Sequence, residues 1–295
     1  MLFNSLTFAV FFAVVFVVYW RLQHRAQNWL LLVASLIFYG AWNLHFLGLI
    51  VGSTVIDWLA ALGMERSKTE RGRKACLIVS LTSNLGILCL FKYLGFFLES
   101  LVGLGHTLGV NLDIPIIQLA LPVGISFYTF QGLSYTIDVY RREQAACRSL
   151  SDFLLYISFF PQLVAGPIER SQRLVPQVLN PRHRLTSART LEGIKLVVIG
   201  LVQKVAIADT LAPTVDRLYS NPNAADSFAL WMGVYAFAVQ IYGDFAGYSN
   251  IARGTARLLG FDLMVNFRQP HLAASVTEFW HRWHISLSTW LRDYL

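Results

Sequence analysis

The chain has 295 residues, 55% of them apolar and only 14% charged, with a mean hydropathy of +0.51. Soluble domains carry about a quarter charged residues, so a soluble globular fold is excluded and a membrane domain of repeated spans is indicated. The formal charge of +7 does not point to nucleic acid, because the basic residues fall between apolar runs, where they act as topology signals and lipid-headgroup contacts.

The first apolar run, Leu6 to Trp20, has no Lys or Arg before it, and Arg21 follows without a small-residue cleavage site. It is therefore expected to stay as a first helix rather than leave as a signal peptide. Spans are expected at residues 4–20, 29–42, 46–63, 75–98, 116–140, 191–215 and 228–250, each near the length that crosses a hydrocarbon core of about 30 Å. Lys and Arg gather in the connectors 21–28, 65–74, 141–149 and 169–190, whereas 43–45 and 102–115 have none. Alternate basic connectors place the N-terminus outside and those four in the cytoplasm, with Arg253, Arg257 and Arg268 again cytoplasmic. Cys76 and Cys89 fall near opposite faces of one helix, and three sparse cysteines make neither a disulfide nor a metal framework.

Ser151 to Ile168 is apolar, yet both of its flanks are basic and belong on the same side. A re-entrant segment resolves this, turned back by the breakers Phe160-Pro161 and Gly166-Pro167 and surrounded by protein or a wet cavity. No internal repeat or low-complexity linker interrupts the chain.

Several polar residues fall within these membrane segments, among them Lys92, Gln131, Asp138, Gln162, Lys195, Gln203, Lys204, Asp209, Gln240 and Asp244. Each should face a protein interior, an aqueous funnel or an interface, since lipid would penalise it. Lys195, Lys204 and Asp138 are read as snorkelling or pairing near helix ends. Gln131, Gln240 and Asp244 lie nearer span centres beside Gly132, Gly243 and Gly247, where close helix packing and a binding site explain them equally well.

The last stretch, Thr277 to Leu295, has no Gly or Pro and reads as one amphipathic helix at a membrane interface. Phe279, Trp280, Trp283, Leu287, Trp290, Leu291 and Tyr294 share one arc, with His281, Ser288 and Arg292 opposite. His284 stands at the border, between Leu291 and Leu295, where partial desolvation favours a neutral imidazole available as a base. His281 and His284 are also spaced i, i+3 as metal ligands can be, but no further ligand cluster completes a metal site. A plain interfacial helix is the remaining reading.

The segment Glu278-Phe-Trp-His-Arg-Trp-His-Ile-Ser-Leu-Ser-Thr-Trp-Leu-Arg-Asp-Tyr-Leu295 resembles the signature of the membrane-bound O-acyltransferase family, in its branch of bacterial alginate O-acetyltransferases. Three further blocks carry the same resemblance: Leu121-Pro-Val-Gly-Ile-Ser-Phe-Tyr-Thr-Phe-Gln131, Phe159-Phe-Pro-Gln-Leu-Val-Ala-Gly-Pro-Ile168 and Tyr242-Gly-Asp-Phe-Ala-Gly-Tyr-Ser-Asn250. The resemblance implies an all-α polytopic bundle with a re-entrant segment and a central tunnel, an acyl donor arriving from the cytoplasm, and transfer toward an extracytoplasmic acceptor. It implies that His284 is the first of two functional histidines. The second belongs to a Trp-His-Gly type block that this chain does not contain, so residues 1–295 are expected to be one incomplete membrane domain of a longer protein. Gln131, Gln162, Gln240, Asp244, His281 and Ser288 are the candidates for substrate or tunnel contacts.

The expected function is acetyl transfer from acetyl-CoA toward alginate or a similar exopolysaccharide, in a bacterial inner membrane, with a periplasmic acetyltransferase as partner. No bound cofactor, metal or nucleic acid is expected. Three alternatives stay open: D-alanyl transfer to teichoic acid from a carrier protein, a transporter or flippase suggested by the re-entrant segment, and a truncated, inactive fragment. Transporters often carry matching broken helices in two halves, and only one such break is present here.

Overall fold

The computed structural model describes all residues except 110–119, 165, 183 and 222–225, and the described residues form helices and connectors without a β-strand. Helix α1 (Leu6–Tyr19) begins where the Ser5 hydroxyl accepts the Phe8 N–H at 3.2 Å, satisfying one open donor of the first turn. It is followed by α2 (His24–Gly40), α3 (His45–Arg66) and α4 (Glu70–Lys92). Thr69 caps α4 in the same way, on the Gly72 N–H at 3.2 Å. By length and composition α3 and α4 can each cross a membrane, and α1 is a shorter apolar helix. Outward ridges such as Val10, Val14 and Val17 on α1 are exposed. In water such ridges would be an aggregation surface, whereas in a bilayer they are the lipid contact.

The span expected at 75–98 is interrupted. Helix α4 ends at Lys92, Tyr93 leaves helical geometry at φ −119°, and α5 (Leu94–Thr107) starts afresh. The connector expected at 102–115 thus begins as helix, and its residues 110–115 lie outside the described residues, as do residues 116–119 of the next expected span. Residues 120–124 are not helical, and α6 (Ile125–Arg141) begins only after Gly124. Gly124 has φ 74°, and a Cβ there would lie 2.5 Å from the Leu163 carbonyl oxygen, so only glycine fits.

Helix α6 packs on α3 and α4 through a buried polar knot. Asp57 Oδ1 accepts from Ser80 Oγ at 2.6 Å and from Asn84 Nδ2 at 2.7 Å, with Thr136 Oγ1 3.0 Å from Ser80 Oγ. The expected re-entrant segment is broken where its sequence is: α7 (Leu150–Ser158) ends at Phe159, a four-residue α8 (Phe160–Leu163) follows, and the chain turns through Gly166 and Pro167. Phe153, Tyr156, Phe159 and Phe160 are fully buried, so this irregular backbone is enclosed by protein, the condition under which it is tolerated at membrane depth.

Helix α9 (Ser171–Leu179) leads to α10 (Ser187–Leu201), a π turn over Val202–Ala208, α11 (Asp209–Ser220) and the long α12 (Ser227–Leu258). Helices α10 and α12 touch backbone to backbone: a Cβ on Gly200 would lie 2.6 Å from the Gly247 carbonyl oxygen. This is the small-residue packing that membrane helices use. Because α12 runs past residue 250, Arg253 and Arg257 lie on its last turns rather than in a connector.

A non-helical connector, 261–269, then leads by a 3₁₀ turn at Pro270–Leu272 to α13 (Val276–Arg282) and α14 (Ile285–Tyr294). The single terminal helix expected over 277–295 is therefore two helices. The wheel that set His281, Ser288 and Arg292 on one face does not carry across the break. Helix α14 is clamped to α6: Trp290 Nε1–H donates to Phe130 O at 3.0 Å, and Tyr294 O–H donates to Asp138 Oδ1 at 2.8 Å. Asp138 is thus fully buried and paired rather than snorkelling. Arg170 adds an ion pair to Asp293 at 2.6 Å.

Candidate active site around His284

The break that separates α13 from α14 has no Gly or Pro to cause it; tertiary hydrogen bonds replace helical ones. In a continuous helix the N–H groups of Ile285 and Ser286 would donate to the carbonyls of His281 and Arg282. Instead Ile285 N–H donates to Asn266 O at 2.9 Å, Ser286 N–H to Asn266 Oδ1 at 3.3 Å, and the Arg282 carbonyl accepts Arg268 N–H at 2.9 Å. Ser286 Oγ–H also donates to Asn266 Oδ1, at 2.9 Å, and Asn266 Nδ2–H is held by Ser249 Oγ of α12 at 3.2 Å. Asn266, Ser286 and Ser249 are buried. The connector therefore pulls the chain out of helix at Trp283-His284 and leaves His284 in the left-handed region, φ 42° and ψ 53°. For a residue with a Cβ that conformation costs about 1–3 kcal/mol, and it persists only where surrounding bonds over-determine it.

The imidazole is half-buried among aromatic rings. Phe245 of α12 meets it edge-on at 4.7 Å between centroids, and Phe267 lies nearly parallel at 6.4 Å. These two rings, not Leu291 and Leu295, desolvate it. Burial lowers its pKa from 6.5 to about 4, because a charged ring would lose its hydration. Nε2 is buried, and no hydrogen bond to the ring forms among the described residues. His284 is thus a neutral imidazole whose Nε2 is left open to a ligand, with no carboxylate bonded to the ring among the described residues.

A second clamp ties the connector to the broken segment. Glu169, fully buried just after Pro167 and Ile168, accepts the Met264 N–H on Oε1, with Arg173 Nε 3.6 Å from its other oxygen. Burial pushes the Glu169 carboxyl up to about 7. The Tyr156 hydroxyl donates to Glu169 O at 3.0 Å and lies 3.5 Å from Gln131 O, while Gln162 Nε2–H donates to Tyr156 O at 2.7 Å. Gln131 and Gln162 are therefore drawn together through Tyr156, each keeping one buried amide atom without a partner, Nε2 and Oε1 respectively.

Of the other candidates, none is hydrogen-bonded to the His284 ring among the described residues. Asp244, one residue before Phe245, forms an ion pair with Lys204 at 2.6 Å, and Lys204 also donates to Asp209 at 2.6 Å across the π turn. This pair lies mid-helix rather than at a helix end. Gln240 keeps an unpartnered Oε1 one helical turn further back. His281 is exposed on α13 and borders an open groove of about 650 Å³ with Tyr242, Glu278 and Arg282. Ser288 is bound by its backbone N–H to His284 O at 3.0 Å. Among the described residues no group of three or more His, Cys, Asp or Glu gathers as a metal site requires. Asn266, Ser249, Phe245, Phe267 and Glu169 are the site residues that sequence reading missed. Phe245 and Ser249 fall inside the Tyr242–Asn250 block, which is the one available signal.

The profile of the membrane-bound O-acyltransferase family (MBOAT) matches residues 81–295. Over its whole length the chain is 41% identical to a protein named "Probable alginate O-acetylase" from Pseudomonas putida and spans 60% of that protein. It is 34% identical, again over its whole length, to a peptidoglycan O-acetyltransferase of Helicobacter pylori, covering 61% of that chain. A teichoic acid D-alanyltransferase of Bacillus subtilis is 31% identical over 59% of this chain, which covers 44% of it. The chain therefore spans about 60% of the length of the O-acetylating relatives it matches.

Proposed function

The chain belongs to the membrane-bound O-acyltransferase family, and from that premise we propose that it is the part of a membrane O-acetyltransferase that presents His284 to an acetyl thioester. The observation that carries this reading is the His284 turn: a strained, desolvated and neutral imidazole whose Nε2 has no partner among the described residues, fixed from both sides by the 261–269 connector. A neutral imidazole can take the proton of an acceptor hydroxyl as its oxygen attacks the thioester carbonyl; the C–S bond breaks and the thiolate leaves as a thiol once protonated. It can equally orient the donor by hydrogen bonding while a second histidine acts as base, the division of labour that the family resemblance implies.

The proposed donor is acetyl-CoA on the cytoplasmic face, and the acceptor an extracellular polysaccharide such as alginate, reached with a periplasmic acetyltransferase as partner. Identity over the whole chain to the alginate and peptidoglycan O-acetylating relatives supports acetyl rather than D-alanyl transfer, since the D-alanyltransferase matches only part of it. Gln131 and Gln162, with their unpartnered amide atoms around Tyr156, are the proposed polar lining of the donor path. The test is to supply membranes carrying the full-length version with labelled acetyl-CoA or with a labelled D-alanyl carrier protein, and to follow label into polysaccharide. Label from acetyl-CoA supports the reading; label from the carrier alone overturns it in favour of D-alanyl transfer. Substrate uptake into vesicles without any acyl transfer would instead favour a transporter.

A further inference from the structure

Away from His284, the ends of α2, α7 and α9 enclose a cavity of about 430 Å³ with charges of both signs in its wall. Arg25 supplies the cationic side, and Asp152 the acidic one. His24 Nε2–H donates to Leu179 O at 3.1 Å, and its Nδ1 is buried without a partner. The hydroxyls of Ser149 and Ser151, 3.0 Å apart, stand in the same wall. Asp152 Oδ1 accepts only the Asn28 amide, at 2.9 Å, and among the described residues no ion pair closes on either Arg25 or Asp152. A cation and an anion thus share one cavity, and among the described residues neither closes a salt bridge; Arg182 acts on Asp152 from behind Asn28, whose Oδ1 accepts its guanidinium.

The rim continues into an apolar ridge. Trp29, Val33 and Ile37 are 58%, 49% and 54% exposed, and their i, i+4, i+8 spacing aligns them along one outward face of α2. A tryptophan where an apolar ridge meets a charged cavity is the usual arrangement at a membrane–water boundary.

We propose that this cavity binds one zwitterionic phospholipid headgroup of the phosphoethanolamine class, with the phosphate on Arg25 and the serine hydroxyls, the ammonium on Asp152, and an acyl chain along the α2 ridge. An anionic headgroup without an amine would leave Asp152 facing phosphate with nothing to bind. A choline headgroup has no N–H to give that carboxylate. The site seats the chain in its membrane and is independent of transfer at His284, so its failure would leave the proposed function untouched.

The test is native mass spectrometry of the purified chain equilibrated with equal amounts of phosphatidylethanolamine, phosphatidylglycerol and phosphatidylcholine, with soluble phosphoethanolamine as a separate probe. Phosphatidylethanolamine should be retained roughly fivefold over either other lipid. Asp152→Asn should abolish that preference while total lipid retention persists, and Arg25→Ala should lower retention of phosphatidylethanolamine and phosphatidylglycerol alike, with Arg25→Lys restoring it. Circular dichroism establishes that each variant is folded. Should Arg25→Ala fail to fold, the selectivity change in Asp152→Asn decides alone. Equal retention of the three lipids, an unchanged preference in Asp152→Asn, or phosphoethanolamine binding as tightly as the lipid would each overturn the proposal.

Discussion

At the scale of single residues, the candidate site is a strained histidine and the asparagine that holds it. Replacing Asn266 by alanine leaves Ser286 N–H and O–H buried without their acceptor, at a cost of about 1–3 kcal/mol. If that cost falls on the turn, the population with His284 in place drops roughly 5- to 160-fold, and acyl transfer by the full-length version should fall with it while membrane levels hold. Protonation supplies a second residue-level prediction. The folded pKa of His284, about 4, lies below its ordinary 6.5, so between those values the unfolded chain binds more protons and stability is lost as pH falls from 6.5 toward 4. Glu169 works in the opposite sense: with a folded value of about 7 against 4.5, its contribution is lost as pH rises through that window. Thermal melts of Glu169→Gln, in which the amide oxygen can still accept Met264 N–H, should lose this alkaline decline; a melting profile identical to the parent between pH 5 and 7 would contradict the buried-carboxyl account. His284 stands out in the sequence as a candidate because it sits in a dense, distinctive block. Asn266 was not, since a lone asparagine in a connector gives no sign that it will bind the backbone on both sides of a distant turn.

Elements were legible where their cause is local and illegible where it is tertiary. Phe160-Pro161 and Gly166-Pro167 marked the broken segment correctly because glycine and proline act on their own backbone. The breaks at Tyr93 and at Trp283-His284 have no such residue. The second exists only because Asn266 and Arg268 take over the helical hydrogen bonds, so periodicity extended one helix through it. The polar residues near the glycines illustrate the same limit. Gly200 against Gly247 is close backbone packing, and Asp244 beside it is paired with Lys204 rather than aimed at His284. Gly200→Val would drive a side chain into the Gly247 carbonyl and should lower the melting temperature in detergent by several degrees. Gly48→Val, on α3, has nothing within 4 Å of the added Cβ and should melt close to the parent. Equal melting of the two variants would mean that α10 and α12 are not held by that contact.

For the whole molecule, the bilayer that the composition indicates is matched by helices with apolar ridges turned outward and by a polar knot, Asp57–Ser80–Asn84, buried between them. Orientation rests on the basic connectors alone, and cysteine labelling tests it: Asn43→Cys in a cysteine-free background should react with an impermeant maleimide from outside, and Ser67→Cys only after permeabilisation. The reverse pattern would invert the topology. The proposed function rests on one turn, where α12 and the 261–269 connector meet around a neutral imidazole. The most direct measurement is therefore polysaccharide acetylation by a full-length version carrying His284→Ala, alongside its level in the membrane. Acetylation should vanish with insertion intact, and near-normal acetylation would contradict the account.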